Sequence, residues 1–209
     1  MYKTNIIQFR ELSTFANDLS TMRIVERDTP KGSDLFFKGL LTKPFNVSKE
    51  IFQSNSLEDI ESMLNSIIPS KLKNNNFFYF WLKDMANITS VFSEIIKEKS
   101  ICLALETSRG CKRYHIDNVP MRLLVTYYGR GTEWLPGDAA DYDAYYSGKN
   151  NKKILINSAK KKFLKKWDIA IFKGQKYKTN KRGILHRTPD SALNKISLLM
   201  RLDSPKYLN

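Results

Sequence analysis

The sequence predicts an α+β protein in which a helical layer backs an antiparallel sheet or barrel, and three observations predict it. Apolar residues between positions 56 and 99 recur at helical spacing. Beyond Ser100 the period falls to about two, with β-branched and aromatic residues in short runs separated by Gly, Pro and Asn. The chain has 209 residues, 42% hydrophobic and 12% aromatic, enough to bury one sizeable core. We therefore read 1–209 as a single domain, with a helical supporting region over 1–100 and the β core over 101–209. Helices first and strands after is the α+β order.

Positions 1–50 mix short apolar clusters with turn signals, Asp28-Thr29-Pro30-Lys31-Gly32 and Lys43-Pro44, and read as irregular or wrapping structure. Ser56, with Asp59 three residues on, is a capping-box-like start. Leu57, Ile60, Met63, Leu64, Ile67 and Ile68 follow at helical spacing, and Pro69 should end the helix. A longer helix is predicted over Phe77–Lys99, with Phe77, Phe80, Trp81, Met85, Ile88, Val91, Phe92, Ile95 and Ile96 on its core side.

Strands are predicted near Ile101–Thr107, Tyr114–Asp117, Met121–Tyr128, Lys153–Ile156, Trp167–Phe172, Gly183–His186 and Ile196–Asp203. Residues 137–152, GDAADYDAYYSGKNNK, read as a mobile insertion whose Tyr142, Tyr145 and Tyr146 cover a pocket.

Composition excludes several classes. No run approaches the roughly 18 to 20 apolar residues of a membrane span, and the start MYKTNIIQFRELSTF lacks signal-peptide order, so a cytoplasmic location is expected. Cys102 and Cys111 are then read as reduced thiols. The net charge of +14 is uneven: residues 1–100 carry 13 basic and 12 acidic side chains, residues 101–209 carry 22 and 9. Between Lys149 and Arg187 only Asp168 offsets 14 basic residues, a field attractive to phosphates or acidic partners.

The chain has two histidines, and both point to one site. On a strand, residues i and i+2 face the same side, so His115 and Asp117 would project together while Ile116 faces the wall. His186, arriving from a later strand, would complete a 2-His-1-carboxylate set with open coordination positions, as a non-haem Fe(II) centre needs. Two satisfied structural histidines remain the plainer reading of the spacing. Cys111, four residues before His115, would turn the set into a four-ligand zinc site.

The segment Cys111-Lys112-Arg113-Tyr114-His115-Ile116-Asp117-Asn118-Val119-Pro120-Met121-Arg122-Leu123-Leu124, continuing through Thr126 to Pro136, resembles the signature of a bacterial family catalogued as domain of unknown function 1826. Asp168 to Gly174, His186-Arg187-Thr188-Pro189 and Leu198 to Asp203 extend the resemblance in ordered blocks. The motif order is similar to that of the Fe(II)/2-oxoglutarate-dependent oxygenases. The resemblance implies a double-stranded β-helix, a jelly-roll or cupin-like barrel, backed by the N-terminal helices. It implies His115, Asp117 and His186 as metal ligands and catalytic residues, with Fe(II), 2-oxoglutarate and O₂ as cofactor and cosubstrates.

In that superfamily a basic residue nine to twelve positions after the distal histidine, often with Ser two residues on, anchors the far carboxylate of 2-oxoglutarate. Lys195 and Ser197 occupy those positions, although Lys lacks the bidentate fork of Arg. Arg201 shares the face of Lys195, but six residues at about 3.3 Å each place it roughly 20 Å away. Arg122 is a third candidate, and Tyr127 is expected to hydrogen-bond the cosubstrate. Glu133 and Trp134 are expected at the substrate mouth, and Lys173 to neutralise an anionic substrate, whether small molecule, nucleic acid or acidic protein.

Two other classes of function fit the same residues. One is a non-enzymatic zinc- or iron-binding protein of metal homeostasis. The other is a basic nucleic-acid binder using Lys160, Lys161, Lys162, Lys165 and Lys166, whose affinity would fall steeply with salt.

Overall fold

The period-two stretches build a six-stranded antiparallel sheet, in the order β1 (Met22–Val25), β7 (Ile169–Lys173), β4 (Met121–Tyr128), β9 (Leu198–Asp203), β3 (Ser100–Glu106) and β2 (Asn46–Phe52). A second sheet holds three two-residue strands, β6 (Lys162–Phe163), β5 (Glu133–Trp134) and β8 (His186–Arg187), also antiparallel. The computed structural model describes residues 12–178 and 182–207. The start of the wrapping segment, 1–11, and part of the late basic run, 179–181, lie outside them.

Strand pleating assigns alternate residues to opposite faces of the large sheet. Ile101, Leu103, Leu105, Leu123, Val125, Ile169, Ile171, Met200 and Leu202 pack with the helices. Leu124, Ala170, Phe172 and Leu199 form a separate cluster on the other face, with Trp134 of the small sheet packed against it. The molecule is thus layered as helices, large sheet and small sheet.

The helical layer comprises α1 (Ser33–Leu40), α2 (Ser56–Leu64), α3 (Ser70–Lys73) and α4 (Asn76–Ile96). The long α4 matches its periodicity: Asn75 caps it by accepting from Phe77 N–H at 2.8 Å, and Lys97 ends it in the left-handed region at φ 56°. Trp81, Met85, Ile88 and Phe92 on its core side are wholly buried, each contributing roughly 1.5–3 kcal/mol of hydrophobic stabilisation.

Several expectations give way here. The stretch before Ile51 is not irregular: it supplies α1, the edge strand β1 and most of the opposite edge strand β2. Ser56 does not form a capping box; Asp59 instead accepts from Phe52 N–H at 3.0 Å and from Lys49 Nζ at 3.3 Å, tying α2 to β2. Helix α2 stops at Leu64, and Pro69 is the N-cap of α3.

The predicted strand Lys153–Ile156 is replaced by a helical turn, α6 (Asn151–Ile154), preceded by α5 (Tyr142–Tyr146). Segment 137–152 therefore consists largely of short helices, and Tyr142 is buried with Ile154, Leu135 and Ala139 around Tyr114 and Ile116. Tyr114–Asp117 contributes one isolated bridge, His115 opposite His186, in place of a strand.

Candidate metal centre

His115 and His186 are brought side by side by reciprocal backbone hydrogen bonds, each N–H to the other's carbonyl at 3.0 Å. Their rings lie 4.5 Å apart between centroids. Phe172, from the inner face of the large sheet, stacks on His186 at 5.1 Å. Asp117 is held from behind, its carbonyl accepting from Gln175 N–H at 2.8 Å. One ligand atom from each of the three side chains lies within 4.8 Å of the other two.

The proton positions follow from the neighbours. His115 Nδ1 lies 3.0 Å from Arg113 O, and His186 Nδ1 lies 3.1 Å from Ile184 O. A carbonyl only accepts, so each Nδ1 carries a hydrogen and each ring turns its Nε2 toward Asp117. These Nε2 atoms stand 3.7 Å and 3.3 Å from Asp117 Oδ1 and Oδ2. Burial lowers the pKa of His115, and the neighbouring His186 lowers it further. Burial alone would raise Asp117, but His186, Arg122 and His115 outweigh it and hold the carboxyl well below the usual range.

Asp117 Oδ2 is buried and has no hydrogen-bond partner. With Nε2 unprotonated, two lone pairs and an anionic oxygen converge on one buried space, an arrangement that a cation between them would satisfy. The donor set therefore fits a divalent metal ion. The pocket around it lies between the sheets and is lined by the triad and by Glu106, Arg109, Cys111, Arg122, Thr132, Arg187, Thr188, Leu199 and Arg201. Among these three side chains, His115 is the accessible one, with 32% exposed against 2% for Asp117 and 6% for His186.

The four arginines lining the pocket differ in what they leave free. Arg122 is gripped by Asp203 and also donates to Asp117. Arg187 is committed to Glu133 and Asp190. Arg109 donates to Arg130 O at 2.7 Å and Thr132 Oγ1 at 2.8 Å, and burial lowers its pKa to about 10, leaving it charged at neutral pH. Arg201 is held most loosely. Its Nη2 lies 3.2 Å from Glu106, and its buried Nε stands 3.6 Å from Asp203 with no hydrogen-bond partner.

The expected cosubstrate and substrate residues fare less well than the triad. Lys195 is exposed in the loop before β9 and does not line the pocket; Ser197 is buried against Gly129, also away from it. Arg201 lines it instead, because the pocket sits at the Arg201 end of the strand and not at the Lys195 end. Tyr127 faces the helices, where its hydroxyl donates to buried Asp84 at 2.9 Å. Arg122 reaches the pocket as a partner of Asp117.

Glu133 is not at a mouth. It is buried, accepting from Tyr114 Oη and from Arg187 Nε at 3.0 Å and Nη2 at 3.2 Å, so it braces the strand that carries His186. Trp134 lines a different groove with Leu19, Met22 and Ile184. Lys173 is buried, donating to Asp18 O at 2.5 Å and lying over the rings of Phe15 and Tyr177, which leaves it outside the pocket.

Both cysteines are free thiols, as expected; Cys102 is buried and Cys111 exposed. Cys111 lines the pocket but is not among the clustered ligand atoms. Of the late lysines, Lys160, Lys165 and Lys166 pair with Asp138, Glu26 and Asp34. No described helix is long and apolar enough to cross a membrane.

The family model described as "Protein of unknown function (DUF1826)" matches residues 8–203. No curated protein matches the chain significantly. Among solved structures, the chain is similar to a dioxygenase for auxin oxidation from rice, at 9% identity and TM-score 0.41, covering 95% of this chain and 68% of that one. It is also similar to the Fe(II)/α-ketoglutarate-dependent dioxygenase TqaL, at 8% identity and TM-score 0.46, covering 95% and 86%. A third is HygX from Streptomyces hygroscopicus, with iron bound, at 9% identity and TM-score 0.43, covering 93% and 86%. Likeness at this level does not carry function, so the functional reading rests on the chain's own side chains.

Proposed function

We propose, from the premise that the chain belongs to the DUF1826 family of proteins of unknown function, that it is an Fe(II)- and 2-oxoglutarate-dependent oxygenase with its site inside a double-stranded β-helix. One observation carries the reading: two imidazoles with Nδ1 committed to carbonyls turn their Nε2 atoms toward Asp117, whose buried Oδ2 has no hydrogen-bond partner. Such a set binds a metal while leaving coordination positions to reactants, unlike a closed four-ligand zinc site. Bound there, Fe(II) would supply O₂ activation and C–H oxidation coupled to the breakdown of 2-oxoglutarate.

The chain's residues would bind, orient and shield. His115, Asp117 and His186 would hold the ion, and Phe172 would fix the His186 ring and exclude water on that side. Arg122 would keep Asp117 ionised and turned so that Oδ2 points away from the guanidinium. Arg201, whose Nε has no hydrogen-bond partner, would take the far carboxylate of 2-oxoglutarate, with Arg109 nearby on the pocket wall. The excess positive charge of residues 101–209 favours an anionic main substrate.

Succinate formation in air with added Fe(II) and 2-oxoglutarate tests the proposal, together with an anaerobic visible band that requires both. Metal binding with neither 2-oxoglutarate binding nor consumption would sink the oxygenase reading and leave a metal-binding protein.

A further inference from the structure

The segment that carries His115 and Asp117 is not part of a strand and has no neighbouring strand along most of its length. Only His115 makes a bridge, to His186. Beyond that bridge, three of its backbone groups find side-chain partners in the two short helices α5 and α6. Asn151 Oδ1 accepts from Tyr114 N–H at 3.0 Å while Asn151 Nδ2 donates to Lys112 O at 2.8 Å. One side-chain amide thereby supplies the acceptor and donor that an adjacent strand would have offered. Two residues on, Ile116 N–H donates to Tyr145 Oη at 3.3 Å, and Gln175 Nε2 donates to the same oxygen at 3.2 Å.

The helices are themselves fastened to the segment. Arg113 lies over the Tyr145 ring at 5.8 Å and donates to the carbonyls of Lys149 and Tyr145. Tyr142 Oη donates to Gly183 O at 3.0 Å, close to the strand that carries His186. Buried Tyr142 and Ile154 pack with Tyr114, Ile116 and Leu185, residues that flank the two histidines.

We propose that the 142–154 helical pair is a clamp that positions the metal ligands, with Asn151 and Tyr145 as its two positioning residues. Asn151 sets the approach of the segment into His115, and Tyr145 sets the peptide between His115 and Asp117. Neither touches the ion; each acts through the backbone of a ligand. Coupling of this kind is reciprocal, so a bound ion tightens the helices as the helices sharpen the site. The proposal rests on the metal reading of the triad.

The test uses the full chain and Co(II) as probe, with affinity read from its visible absorption. Asn151→Ala should weaken Co(II) binding about 10- to 100-fold, the range for outer partners of metal ligands, and Tyr145→Phe should weaken it by less. Tyr146→Phe, at an exposed ring, should bind as the parent does. In the parent chain, saturating Co(II) should slow amide exchange at Tyr114, Ile116 and residues 142–154 together, a readout that needs no variant to fold. Asn151 and Tyr145 variants that match the parent, or exchange in 142–154 indifferent to Co(II), would overturn the clamp alone. A parent chain that binds no Co(II) would overturn the metal reading and the clamp with it.

Discussion

Arg122 and Asp203 stand opposite each other in register on β4 and β9, and the guanidinium grips both carboxylate oxygens, Nε to Oδ1 at 2.7 Å and Nη2 to Oδ2 at 2.9 Å. Its third nitrogen, Nη1, is thereby aimed at Asp117 Oδ1. Asp203→Asn keeps the shape of this pair but withdraws the charge, and we expect metal affinity to fall about tenfold. Asp203→Ala should in addition cost about 3–5 kcal/mol, because a largely buried cation loses its main partner. Calorimetric metal titration checks the first outcome and denaturant unfolding the second; an unchanged affinity in Asp203→Asn would show that Arg122 does not orient Asp117.

Asp117→Asn should abolish tight metal binding while the chain stays folded. The amide can still accept from Arg122, but it offers a neutral oxygen in place of the anionic one. We expect a loss beyond about 100-fold, more than removal of an outer partner produces, and His186→Ala should do the same. Equal affinity in Asp117→Asn would place the metal elsewhere.

On the oxygenase proposal, Arg201 and Lys195 make opposite predictions for 2-oxoglutarate binding. Losing a charge-assisted hydrogen bond of about 1.5–3 kcal/mol corresponds to roughly 10- to 100-fold weaker binding, so Arg201→Ala should raise the Kd for 2-oxoglutarate by that factor. Lys195→Ala should leave it unchanged. The reverse result would restore the superfamily spacing rule and remove Arg201 from the pocket's chemistry.

Gly174 has no room for a side chain: a Cβ there would lie 2.5 Å from the carbonyl oxygen of Asp117 and would overlap that of Val119. Both obstacles are backbone, so Gly174→Ala must push the ligand segment away. A cost of about 1–3 kcal/mol is expected from the overlap, accompanied by weakened metal binding. Thermal unfolding with and without metal separates the two effects, and a variant with a normal metal-induced stabilisation would contradict this account.

The two thiols should differ sharply toward alkylation. Burial, with some help from Asp203, raises Cys102 to about 11, whereas Cys111 is exposed. At pH 8 iodoacetamide should label Cys111 in the native chain and both residues after denaturation. Because the folded pKa lies above the ordinary 9.0, the stability Cys102 contributes is complete below that pH and is lost as pH rises through about 11. Rapid native labelling of Cys102 near neutral pH would refute its burial.

The meeting of His115, Asp117 and His186 is legible in the sequence because a polar H-x-D stands in an apolar stretch and the chain has one other histidine. Its surroundings are not. The large sheet is covered on both faces, so its strands read as nearly continuous apolar runs and do not announce which parity faces the pocket. Tyr127 is misread on that account: Arg122 and Leu124 share the pocket side, Tyr127 lies on the other, and the register shifts between Thr126 and Tyr128.

Arg201 lines the pocket and Lys195 does not, since strand geometry does not say which end of β9 meets the site. Lys153–Ile156 is too short for periodicity to separate a helical turn from a strand. The bonds made by Asn151 and Tyr145 have no local signal, because the backbone groups they reach, at Tyr114 and Ile116, belong to a distant part of the chain.

The long stretch of sequence between Asp117 and His186 has a kinetic meaning. The two ends meet only after β4, the helical pair and β7 have been threaded between them, so the ion would act as a reversible staple closing a wide excursion of chain. Entropy lost in closing such a loop grows only slowly with its length. A chain supplied with metal during refolding should therefore gain chiefly in resistance to opening at this seam, where the His115 segment and β8 are otherwise joined by a few backbone hydrogen bonds.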